Sequence, residues 1–265
     1  MKIHHLNCGS LYVRFPRTKS IVYCLLVETN EGLILVDSGL GRKDYTDPSR
    51  LMTGFIYLLG IPCEMEETAA HQVQDLGYKI SDVQHIVLTH LHLDHAGGLP
   101  DFPQAKVHIY QTEYEAGMRP RTLIERAYDP SHFSHGPDWV VHGDEEMDWY
   151  GFKSLPIIQG LRPEIRLVPL PGHTRGHCGV VIATEKGWLL QCGDAASPYH
   201  AASDLHELNP SRYALGIVPQ WFVYRFLGPH TPRIRELLQI HEGEIEAISS
   251  HDLYSFEKYR SLPVD

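Results

Sequence analysis

The sequence predicts an α/β fold in which two mixed β-sheets pack face to face and carry helices on their outer sides. Two β-rich runs joined by a short polar turn occur once in each half of the chain, and each pair ends in an aspartate. Each pair is followed, after an interval, by a short apolar run that ends in histidine. The interval from aspartate to histidine is 53 residues in the first half, Asp37 to His90, and 57 in the second, Asp194 to His251. Such spacing reads as a weak internal duplication.

In chain order, residues 23–29, the turn Asn30-Glu31-Gly32 and residues 33–37 form the first hairpin. Residues 85–90 are the kind of short apolar strand that is buried on both faces. Residues 106–110 read as a strand, and residues 111–116 as the opening of a helix capped by Thr112. The second hairpin comprises residues 178–184, a turn at Glu185-Lys186-Gly187, and residues 188–192, followed by Gly193-Asp194. Residues 246–251 then mirror the strand that ends at His90. Two such halves would stack their sheets and gather their loops along one edge, giving an αββα sandwich. One domain over residues 1–265 is expected, with residues 41–78 and 117–164 as insertions over that edge.

A chain of 265 residues with 43% apolar content can bury a sizeable core. Its net charge of −10 and the lack of a Lys/Arg-rich run argue against nucleic acid and anionic membrane as partners, because both demand clustered positive charge. A small, neutral or weakly charged substrate fits better. The five cysteines, Cys8, Cys24, Cys63, Cys178 and Cys192, form no CxxC pair and no even framework, so a reducing, cytoplasmic location is expected. The start of the chain has no apolar stretch of signal-peptide length, and neither apolar window, 51–62 or 213–228, suits a membrane span. Eighteen histidines make metal chemistry the first thing to test.

Three imidazoles and a carboxylate fall within six positions directly after a strand: His90, His92, Asp94 and His95. In a loop, alternate residues can turn towards one point, so His90 and His92 can share one ion while Asp94 and His95 face another. Neutral imidazole and carboxylate suit Zn²⁺, and also Mn²⁺ or Fe²⁺.

The pattern His90-x-His92-x-Asp94-His95 resembles the signature of the metallo-β-lactamase superfamily, and the resemblance runs from the hairpin ending at Asp37 to His251. It implies a third histidine for the first ion at His173, within Pro171-Gly172-His173-Thr174, and a bridging aspartate at Asp194. It also implies a last histidine for the second ion at His251, and an outer hydrogen-bonding role for Asp37. With two divalent ions in place, the expected reaction is hydrolysis by a bridging hydroxide, with Asp94 and Asp194 at the reacting centre and without a redox cofactor or acyl-enzyme. The stretch from Thr89 to Gly98, and Ser250-His251-Asp252, are most similar to the N-acyl homoserine lactonase branch, which implies a lactone substrate. That branch places a catalytic tyrosine close behind the bridging aspartate, and here Tyr199, displaced in sequence, is the catalytic residue expected to stand in for it. A glyoxalase II-like thioester hydrolase and a metal-stabilised binding protein are the alternatives. The apolar stretches 51–59 and 221–227 could line an acyl pocket or cover a partner subunit, as in a homodimer.

Overall fold

The structure, a computed structural model, describes residues 2–14, 17–122, 124–143, 146–196 and 228–260. Its twelve strands form two six-stranded mixed sheets, ordered β1-β2-β3-β4-β5-β6 and β12-β11-β10-β9-β8-β7. In the first, β1 (Ile3–Arg14), β2 (Arg17–Thr29) and β3 (Gly32–Val36) are antiparallel neighbours. Then β4 (Val83–Val87), β5 (Lys106–Tyr110) and β6 (Asp138–His142) continue in parallel. The second sheet contains β7 (Met147–Trp149), β8 (Phe152–Pro156), β9 (Ile165–Pro169), β10 (Cys178–Thr184) and β11 (Gly187–Gln191), all antiparallel to their neighbours. It closes with β12 (Ile245–Ile248), which is parallel to β11.

Both predicted hairpins are present, and each hands on to a parallel strand, β3 to β4 and β11 to β12. A parallel neighbour cannot be reached through a tight turn, so a crossover separates each hairpin from the strand that leads to its histidine.

Side-chain alternation explains the layers. On β2, Ile21, Tyr23, Leu25 and Val27 enter the apolar layer between the sheets, while Val22, Cys24 and Leu26 enter the one beneath the outer helices. On β10, Cys178, Val180 and Ile182 face the first sheet and Val181 faces outward, where Ile234 and Leu237 of the helix Thr231–Ile240 cover it. Because both faces of these strands are covered, they read as continuous apolar runs. Each fully buried Leu, Ile or Val contributes about 1.5–3 kcal/mol relative to exposure.

Two local expectations differ from the structure, and one strand was not anticipated. The helix Gln111–Met118 takes Tyr110, not Thr112, as its N-cap, because the chain passes from β5 into the helix without an intervening turn. Of the stretch 117–164, β6, β7 and β8 take up residues 138–142, 147–149 and 152–156, so the parts outside the sheets are the segment before β6 and the connections between strands, the last of them 157–164. The N-terminal β1, which pairs along its length with β2, carried no clear signal in the sequence. Among the described residues, no helix is long and apolar enough to cross a membrane. Tyr199 and the apolar stretch 221–227 lie outside the described residues.

Candidate metal centre

The seven residues picked out by the sequence come together at one edge of the sandwich. His90 and His92 follow β4, Asp94 and His95 lie on the short helix Leu93–Ala96, and His173 sits between β9 and β10. Asp194 follows β11 and His251 follows β12. Backbone hydrogen bonds fasten the two sheets here: Cys178 N–H donates to Thr89 O at 2.9 Å, and Tyr23 N–H donates to Ser250 O at 2.8 Å. The close turn at Gly193 needs glycine, since its φ is +55° and a Cβ there would lie 2.5 Å from His177 Nε2.

The side chains form two clusters that share one carboxylate. His90 Nε2 and His173 Nε2 each lie 3.0 Å from His92 Nδ1. Asp194 turns Oδ2 to this group, 3.3 Å from His173 Nε2 and 4.0 Å from His90 Nε2. Its other oxygen, Oδ1, faces the second group, 3.5 Å from His251 Nε2 and 3.7 Å from His95 Nε2. Asp94 completes that group, with Oδ2 3.5 Å from His251 Nε2 and Oδ1 3.8 Å from His95 Nε2.

Hydrogen bonds at the far side of each ring decide which nitrogen is bare. Thr89 Oγ1 donates to Asp37 Oδ2 at 2.8 Å, so it accepts from His90 Nδ1 at 3.0 Å and leaves His90 Nε2 with its lone pair. His95 Nδ1 donates to Asp37 Oδ2 at 2.9 Å, His251 Nδ1 to Ile21 O at 2.8 Å, and His92 Nε2 to Ile124 O at 3.2 Å. Bare nitrogens therefore converge on bare nitrogens and carboxylate oxygens. The rings of the first cluster disfavour protons on one another, and together with the carboxylates the donors make a ligand set for cations. His95 Nε2 and Asp194 Oδ1 are fully buried and have no hydrogen-bond partner, as atoms meant for a metal would be. The donors fit two divalent ions of the kind that take nitrogen and oxygen ligands.

The electrostatics of the clusters differ. Burial, then the neighbouring rings, pushes His90 far below the ordinary histidine range, and burial with His173 takes His92 to about 3. In the second cluster burial also opposes protonation, but Asp194 and Asp94 outweigh it and raise His251 to about 9. Burial is likewise overcome at His95 by Asp94, Asp194 and Asp37. The first cluster is a neutral pocket of lone pairs, and the second draws positive charge to itself.

Asp37 takes the role expected of it. It occupies the left-handed region, with φ 55°, directly after β3, and accepts from Thr89 N–H, Thr89 Oγ1 and His95 Nδ1. Two residues escaped the sequence reading. His177, wholly buried behind His90, accepts the backbone N–H of Asp194 on its Nε2 at 2.9 Å and so helps hold the shared carboxylate's residue in place. It lies four positions after His173, a spacing that could have flagged it. Glu113 accepts from Leu91, Thr174 and Gly176, and no local pattern announces it. The part of the chain before β6 also reaches the site: Tyr128 packs its ring 5.5 Å from that of His92, and Glu125 holds Arg175 at 3.1 Å.

Comparison with known proteins agrees with this geometry. The family model described as metallo-beta-lactamase superfamily matches residues 17–248. A probable metallo-hydrolase of Mycobacterium tuberculosis is 42% identical over 255 residues, spanning 95% of this chain and 80% of that protein. An N-acyl homoserine lactonase of Bacillus thuringiensis is 30% identical over 177 residues, 66% of this chain and 64% of the relative. Among solved structures, a mutant of B. thuringiensis AiiA with N-decanoyl-L-homoserine bound at its active site superposes with a TM-score of 0.66. It shares 21% identity and covers 99% of this chain and 96% of its own.

Proposed function

Because the chain belongs to the metallo-β-lactamase superfamily of metal-dependent hydrolases, we propose that it holds two divalent ions, Zn²⁺ by preference, and opens the ring of a small neutral lactone. The observation that carries the two-ion reading is Asp194, whose two oxygens each face a different cluster of bare ligand atoms. His90, His92 and His173 would hold one ion, and Asp94, His95 and His251 the other. Bound there, the ions supply a water of lowered pKa and polarise the carbonyl under attack.

The chain's own residues do the rest. Asp37, Ile21 O and Ile124 O take the distal ring N–H groups, so the proximal nitrogens are the ones turned to the ions. Asp94 and Asp194 are the carboxylates beside the reacting atoms. They are placed to take the proton of the attacking water and return it to the departing alkoxide, so that an ester becomes a carboxylate and an alcohol. The net charge of −10 leaves no electrostatic attraction for polyanions, consistent with a neutral substrate and with no role for nucleic acid. A lactone is favoured over other electrophiles by the similarity to N-acyl homoserine lactonases.

The test is a parallel panel of N-acyl homoserine lactones, glutathione thioesters, β-lactams and phosphodiesters with Zn²⁺-loaded protein. The expected outcome is the highest kcat/KM on a lactone bearing an apolar substituent. A thioester or phosphodiester turned over orders of magnitude faster than every lactone would overturn the substrate and leave the metallohydrolase reading standing.

A further inference from the structure

Glu113 is wholly buried, and among the described residues no lysine or arginine is paired with it. It lies in the first turn of the helix Gln111–Met118, where the helix dipole favours a negative charge. Three donors converge on it: Leu91 N–H to Oε1 at 3.0 Å, and Thr174 Oγ1 at 2.7 Å and Gly176 N–H at 3.1 Å to Oε2. The loop at Gly176 is pressed so closely on the helix that a Cβ there would lie 2.0 Å from Glu113 N.

The position of these donors in the chain gives the arrangement its meaning. Leu91 lies between His90 and His92, and Thr174 and Gly176 follow His173. One carboxylate thus ties together the two segments, far apart in sequence, that carry all three ring nitrogens of the first cluster. The second cluster has other fastenings: Asp37 holds His95 and Ile21 O holds His251.

We propose that Glu113 is a positioning residue that fixes the spacing of the His90/His92 loop and the His173 loop, and thereby governs the affinity of the three-histidine cluster while leaving the Asp94–His95–His251 cluster nearly untouched. The inference rests on the two-ion reading above. Glutamine cannot replace Glu113, because every contact is with a donor. Its amide nitrogen would face either Leu91 N–H or the pair Thr174 and Gly176, leaving a buried donor unsatisfied.

The experiment titrates metal-stripped protein with Zn²⁺ against a chromophoric chelator and follows thermal unfolding of the stripped proteins alongside. Wild type, Glu113→Gln and Thr174→Val are compared with His92→Ala and His251→Ala, which identify the binding step of each cluster. Glu113→Gln should weaken the step lost in His92→Ala by about 10–100-fold and leave the step lost in His251→Ala within about twofold. Thr174→Val, which removes one of three donors, should weaken the same step less. Equal weakening of both steps, or of neither, overturns the proposal, and Thr174→Val decides by the same criterion if Glu113→Gln does not fold. Wild-type protein that takes up only one equivalent of Zn²⁺ sinks the two-ion reading instead, so the two failures are told apart.

Discussion

Among the described residues two groups of histidines pack ring against ring, and they are built on opposite plans. Across the parallel strands β4, β5 and β6, His85, His108 and His142 form a row: His85 Nδ1 meets His108 Nε2 at 2.9 Å, and His108 Nδ1 meets His142 Nε2 at 2.9 Å. Each ring passes one proton along the line, so His108 is satisfied on both sides by its neighbours. At the sandwich edge the far nitrogens of His90, His92, His95 and His251 are satisfied by a hydroxyl, a carboxylate or backbone carbonyls, and the near nitrogens converge on one another and on Asp94 and Asp194. Histidine content is therefore no guide to a metal site. What separates the two groups is where the acceptors for the outer protons lie.

The largest expected effect comes from removing what the row lacks, a shared carboxylate. Asp194→Ala should abolish hydrolysis and lower the bound metal below that of wild type, a greater loss than the about 10–100-fold that follows removal of an outer hydrogen bond. Elemental analysis beside the rate assay checks it, and wild-type turnover with full metal content would contradict the assignment. Next comes the distal acceptor itself. Asp37→Asn presents an amide nitrogen among Thr89 N–H, Thr89 Oγ1 and His95 Nδ1, so the affinity of the Asp94–His95–His251 cluster should fall by about 10–100-fold. Chelator competition measures that fall, and an unchanged affinity would separate metal binding from the distal bonds.

The row is tested by acid. Burial, then His142, His85 and Lys106, lowers His108 to about 3. Between pH 6.5 and about 3 the unfolded chain therefore takes up a proton that the folded row refuses, and stability falls with pH by up to about 1.4 kcal/mol per unit. His108→Leu should flatten the decline in Tm from pH 7 to pH 5 while leaving metal content unchanged. It should also cost about 1–3 kcal/mol at neutral pH, because His85 Nδ1 and His142 Nε2 lose their partner. A variant that titrates like wild type would remove the row from the acid response. The smallest effect belongs to a histidine in neither group. His71 faces Asp75 at 3.4 Å on a solvated helix surface, with side chains 37% and 68% exposed, and His71→Ala should shift stability by no more than roughly 0.5 kcal/mol without altering metal content.

Much of the edge cluster was legible because its chemistry is local. His90 to His95 occupy six consecutive positions, and the hairpin ends that deliver Asp37 and Asp194 carry the period and turn residues of strands. The second hairpin and the β5 strand were read close to their observed limits, whereas β2 begins at Arg17, six residues before the run read from Tyr23. The row was illegible for the opposite reason. His85, His108 and His142 come together only through the parallel registers that set Val87 beside His108 and Tyr110 beside His142, and register between distant strands is not written in any one segment. Glu113 was hidden in the same way, since its partners lie 22, 61 and 63 residues away. The Thr112 cap failed because a good capping residue was credited where the strand had already become a helix.

The fastening of the two sheets at the site edge also sets a clock. Four of the seven clustered residues have been synthesised once His95 is made, but His173, Asp194 and His251 follow much later, and each cluster includes at least one of these late arrivals. A nascent chain that stops short of β12 can gather loose imidazoles but cannot close the second cluster. An ion in the second cluster would thus be held only by molecules whose halves have already docked, and its affinity would add to the stability of the finished sandwich alone.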